Sequence, residues 1–196
     1  MKVSQFQENI APILSARLNP LEVICEWRAF ENLSYQYSPR VDIAVSPFSV
    51  RPGRNRTMEY NQLVQEADIN DFLRSIYEYH IQNIGDEWLR EIEIPAFDVL
   101  INKNQNARCF LAIEIENTST KKHIMGSMIN AASLGRIGIG VAYNESVKRT
   151  FVRILNYLGF LKRVEKNTYD ATNFLILTKG QLESLLNIEI ERLVNA

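Results

Sequence analysis

The stretch Cys109-Phe110-Leu111-Ala112-Ile113-Glu114-Ile115-Glu116-Asn117 carries two glutamates inside an otherwise apolar run. Successive residues of a strand point to opposite faces, so Leu111, Ile113 and Ile115 share one side while Ala112, Glu114 and Glu116 share the other. Two carboxylates therefore stand side by side. Their charges repel, and burial of so apolar a segment penalises both unless a cation compensates. Carboxylate oxygens are hard ligands, suited to Mg²⁺ or Ca²⁺ better than to zinc. The competing reading is a half-buried antiparallel strand whose acidic face meets water. Lys121, Lys122 and His123 follow directly.

Two other carboxylates interrupt apolar runs. Asp42 lies in Arg40-Val41-Asp42-Ile43-Ala44-Val45 and Asp98 in Ala96-Phe97-Asp98-Val99-Leu100-Ile101, and each run reads as a strand. A buried carboxylate needs hydrogen-bond donors or a metal, so both are candidate ligands. The polar residues 102–106 predict a turn, which would make the Asp98 strand a hairpin partner of the Glu114 strand. Arg40, Arg51, Arg54 and Arg56 flank or occupy a loop around Pro52-Gly53 and could meet phosphates, or be solvated.

The elements that must hold these groups are read from periodicity. Residues 4–17 have helical spacing, although Pro12 would kink or shorten the helix. Asn19-Pro20 predicts a second helix over 21–33, with Glu26 as its acid closest to a site. A long helix is predicted over 60–83, in which His80 is structural. Asn117 to Thr120 cap a helix over 122–134, whose Gly126, Ser127, Ala131, Ala132 and Ser133 would let it lie close on a sheet. Gly135 ends it, and residues 137–142 form a buried strand, completing a β-α-β crossover. Gly135, Gly138 and Gly140 sit at a helix end and inside a strand, which excludes a phosphate-binding loop. An amphipathic helix over 146–160, a strand over 174–177 and a Thr178-capped helix to 194 complete the chain.

Composition sets the class. The 196 residues, 46% hydrophobic and 23% charged, suit one soluble domain with a proper core. A net charge of −1 permits a nucleic-acid partner without demanding one. Cys25 and Cys109 form no metal-binding or disulfide pattern, and no apolar run approaches the roughly 18 residues of a membrane span. A cytoplasmic protein with no membrane contact is expected.

The order helix, strand with Asp, strand with Glu114-Ile115-Glu116, small-residue helix and glycine-rich strand resembles the PD-(D/E)XK superfamily of restriction-endonuclease-like nucleases, over roughly residues 20–145. The resemblance implies an α/β fold with a restriction-endonuclease-like core, a central mixed four- to five-stranded sheet flanked by helices. The whole chain would be one domain, with a helical insertion over about 57–93 and C-terminal helices and a short strand over 146–196. It further implies hydrolysis of DNA phosphodiesters with Mg²⁺, or Mn²⁺, held by Asp42 or Asp98, Glu114 and the Ile115 carbonyl. Glu116 falls in the family's lysine slot, where it would orient or deprotonate the attacking water or bind a second ion. Lys122 would supply the displaced cation, and Arg40, Arg51, Arg54, Arg56 and Lys121 would contact DNA. The superfamily's small enzymes also imply a homodimer. The alternative is the same fold without catalysis, as a nucleic-acid or protein binding module.

Overall fold

Residues 3–30, 38–51, 55–85 and 92–187 are described by the computed structural model. Their elements are α1 (Val3–Arg17), β1 (Val23–Arg28), β2 (Arg40–Val45), α2 (Thr57–Leu63), α3 (Ala67–Ile84), α4 (Phe97–Leu100), β3 (Cys109–Glu116), α5 (Lys121–Leu134), β4 (Gly135–Ala142), α6 (Glu145–Arg163), β5 (Phe174–Thr178) and α7 (Lys179–Leu185). The fold is α/β, with one mixed sheet of order β1-β2-β3-β4-β5. The first three strands form an antiparallel meander, and β4 and β5 add in parallel to β3.

Helices cover both faces, which is why β3 and β4 are buried along their whole length. One face packs Ile113 and Ile139 with Phe6 and Ile10 of α1, Tyr60 of α2, Phe72 and Leu73 of α3, and Leu100 of α4. The other packs Ala112 and Ile176 with Met128 and Ala131 of α5 and Phe151 of α6. The close approach expected of α5 is present. A Cβ added at Gly138 on β4 would lie 2.7 Å from the Ala131 carbonyl carbon and 2.8 Å from the Ala132 nitrogen. No helix among the described residues is long and apolar enough to cross a membrane.

Five expectations are corrected. Residues 23–28 are a strand, not part of a helix, because Val23 to Arg28 pair with β2 from Val45 to Arg40. Residues 97–100 are one helical turn, not a strand. Phe97, Leu100 and Ile101 are the buried side chains there, a helical spacing, while Asp98 and Val99 face outward. The hairpin partner of β3 is therefore β2, and residues 102–106 lead from α4 into β3. The long helix over 60–83 is interrupted at residues 64–66, where the Asn70 side chain donates to the Val64 carbonyl. Gly159 does not close α6, which continues to Arg163 with Lys162 and Arg163 in the last turn. The end of the last predicted helix, and residues 86–91, lie outside the described residues.

β5 is an edge strand, yet its backbone is not bare. His80 Nδ1 accepts from the Ile176 N–H at 3.0 Å, and the Asn83 side chain donates to the Ile176 carbonyl at 2.8 Å. Burial holds the His80 imidazole neutral, lowering its pKa from 6.5 to about 3. Between those values the unfolded chain binds the proton and the folded chain does not, so this group's stabilisation is present above pH 6.5 and is lost as pH falls toward 3. His80→Ala is expected to cost about 1–3 kcal/mol at neutral pH through the orphaned N–H. Urea unfolding should show the gap between variant and wild type narrowing from pH 7.5 to 4.5.

Candidate functional site

The β2–β3 ladder stops at Ile43–Ile113. One step further the strands part, and the Ile115 N–H, which would have continued the ladder, donates instead to Asp42 Oδ2 at 2.7 Å. The Asp42 backbone N–H turns to the Glu114 carboxylate. Each side chain thus takes the place of a ladder bond, and the two strands open around a cleft of about 280 Å³ lined by Val3, Asp42, Glu114, Ile115, Glu116, Asn117, His123 and Ser127.

Two helices and a strand finish the site. α1 lays Gln7, 5% exposed, over Asp42, to whose carboxylate its side chain hydrogen-bonds. α5 brings Ser127, whose Oγ donates to Glu116 Oε1 at 2.5 Å, and one turn earlier His123, whose Nε2 stands 3.2 Å from the same oxygen. On β4 the register places Gly140 beside Glu114 and Ala142 beside Glu116, so no large side chain crowds the acids.

Burial is the leading cause of the unusual carboxyl affinities. It raises Glu114 to about 9, with the Asp42 and Glu116 charges adding in the same direction. Asp42 rises to about 6 by burial, against the Ile115 N–H and with Glu26 and Glu116 repelling it. Glu26 sits on β1 between the residues paired with Ile43 and Val41, at φ 54°, and its carboxylate is tied to Arg40 Nη1 at 2.8 Å. Carboxylates are hard oxygen donors, and a divalent cation would relieve the burial and mutual repulsion that raise Glu114 and Asp42. Among the described residues no group of three or more His, Cys, Asp or Glu side chains is arranged so that it could hold a metal ion. Asp42 is directed to Ile115, and Glu116 to Ser127 and His123, so binding would require these carboxylates to turn.

Asp42, Glu114, Ile115 and Glu116 are brought together. Asp98 is not: it lies on α4, 79% exposed at its side chain, with Arg74 Nη2 3.4 Å away. Lys121 and Lys122 are exposed on the first turn of α5 and do not line the cleft, whereas His123 does. Arg56 is committed to Glu59 and to the Phe48 carbonyl. Arg51 lies by Arg108, ahead of β3, which at ~3.3 Å per residue is roughly 20 Å down the strand from Glu114. Arg54 lies outside the described residues. A second cleft of about 240 Å³, between α6 and residues 169–172, precedes β5 at that same far end, and there Lys103 and Lys162 both pair with Asp170.

No family model, curated protein or solved structure matches the chain. Gln7, Ser127 and His123 are the site residues that sequence reasoning passed over as functional. The i, i+4 spacing of His123 and Ser127, on the helix that follows the acidic strand, was the available signal.

Proposed function

We propose that the chain is a divalent-cation-dependent DNA endonuclease of the restriction-endonuclease-like type, hydrolysing phosphodiester bonds. The observation that carries this reading is the convergence of half-buried Asp42 with buried Glu114 and Glu116 where β2 and β3 part. The order helix, three-stranded meander, helix and parallel strand supports it. Asp42, Glu114 and the Ile115 carbonyl would hold Mg²⁺, with Mn²⁺ able to replace it. Bound there, the cation would neutralise phosphoryl charge and acidify the attacking water. Arg40, Lys121 and Lys122, at the same end of the sheet, would contact the DNA backbone, and a homodimer would present one site to each strand.

A second reading, a nucleic-acid or protein binding module with the same fold and no hydrolysis, is favoured by the engagement of Glu116 with Ser127 and His123 instead of an open coordination position. Incubation with supercoiled plasmid separates the two. The nuclease nicks or linearises it with Mg²⁺ or Mn²⁺, not with chelator, and not in Glu114→Ala. DNA retention without nicking at any divalent concentration would support the module. A wild type that leaves plasmid intact and binds no divalent cation at millimolar concentration would overturn the nuclease.

A further inference from the structure

The three cleft carboxylates can compensate a cation, but two of them are already engaged with backbone N–H groups of β2 and β3. Glu116 differs. It is 4% exposed, and its Oε1 faces Ser127 Oγ and His123 Nε2, both from α5. The His123 side chain is 63% exposed at the cleft, and no described group pairs with its Nδ1. A carboxylate buried behind one ring nitrogen selects the tautomer with the proton on that nitrogen and leaves the other a lone pair. The buried acid, braced by Ser127, also stabilises the imidazolium that forms when that lone pair takes a proton, as carboxylate–histidine pairs do in other hydrolytic sites.

We propose that Glu116 and His123 form a carboxylate–histidine dyad in which His123 Nδ1 is the general base for the attacking water and Glu116, held by Ser127, is its positioning residue. This rests on the nuclease reading and assigns Glu116 to the imidazole instead of the cation. In the step, the water oxygen bonds to phosphorus and the bond from phosphorus to the leaving oxygen breaks. The water proton passes to His123 Nδ1, the leaving oxygen takes a proton from solvent, and His123 later returns its own to solvent. The exposed ring at the mouth fits a long polymeric diester, whose backbone need not enter the cleft beyond one phosphate.

The test has one arm independent of catalysis. The chain has two histidines, His80 and His123, so ring ¹⁵N spectra of wild type and His123→Ala assign both. His123 is expected with its proton on Nε2 and a bare Nδ1, a preference lost in Glu116→Gln. An Nδ1-protonated His123 in the wild type would overturn the dyad whatever the protein cleaves. In the second arm, His123→Ala should cut plasmid cleavage roughly 10²–10⁴-fold, the range of general-base catalysis. Added imidazole should restore part of the rate, with Mg²⁺ affinity by calorimetry unchanged. A His123→Ala protein that cleaves like wild type, or that loses Mg²⁺ binding together with cleavage, would overturn the dyad while leaving the nuclease standing. A wild type that neither binds Mg²⁺ nor cleaves removes both.

Discussion

In the Glu114→Gln variant, Mg²⁺ should no longer raise the melting temperature, and DNA cleavage should fall by on the order of 10³-fold or more. Wild type at a cation concentration of about 100 Kd should gain about 2.7 kcal/mol, or about 5–10 °C for a chain of this size. Glutamine keeps the side chain's shape and removes both the negative charge and one hard oxygen, so the cation response should vanish without unfolding. Burial raises Glu114 from 4.5 to about 9, so between these values the folded chain holds a proton that the unfolded chain has released. The stability this group contributes is full below pH 4.5 and is lost as pH rises through about 9. Cation-free wild type should therefore weaken across that window relative to Glu114→Gln. Cation binding must displace the proton, so calorimetry in buffers of different ionisation enthalpy should register proton release at neutral pH and tighter binding as pH rises. Equal Mg²⁺ responses in wild type and variant would exclude Glu114 from the site.

Gly138→Val should damage the fold severely. Its first added carbon meets backbone atoms of Ala131 and Ala132 at 2.7 to 2.9 Å, and no flexible side chain is available to move aside. Overpacking costs about 1–3 kcal/mol where neighbours can shift, and more where a helix must lift. Alanine at this position should fall within that range, and valine above about 4 kcal/mol. Because α5 also carries Ser127 and His123, displacement should depress cleavage even at temperatures where the alanine variant stays folded. Gly126→Ala is the control. It lies on the same helix with nothing within 4 Å of the added carbon, and should be neutral or stabilising by up to about 1 kcal/mol. Urea midpoints for the three proteins, with unchanged slopes, would measure the difference.

What could be read from the chain follows from how locally each element is determined. The β3-α5-β4 crossover was legible because β3 and β4 are buried on both faces and so appear as unbroken apolar runs around a small-residue helix. The acids stood out for the same reason: Asp42, Glu114 and Glu116 interrupt runs that have no other cause to carry charge. β1 was not legible, because its residues meet strand partners 12 to 22 positions away, while apolar positions 21, 24, 25 and 27 also satisfy a helix. Asp98 was drawn toward the site by the same ambiguity in reverse, since Val99 and Ile101 suggest a strand whose burial is in fact helical. Gln7 and Ser127 are uncharged residues on separate helices, and only the packing of α1 and α5 against the strand ends brings them onto the carboxylates.

The side-chain bonds from α3 to Ile176 have a consequence for how the molecule keeps to itself. With Ile176 of β5 held by His80 and Asn83, the opposite edge of the sheet is β1, where Glu26 turns the backbone into a left-handed step halfway along a six-residue strand. A chain aligning along β1 would lose register at Glu26, and one approaching β5 would meet Ile176 already bonded, so both edges work against templated fibril growth.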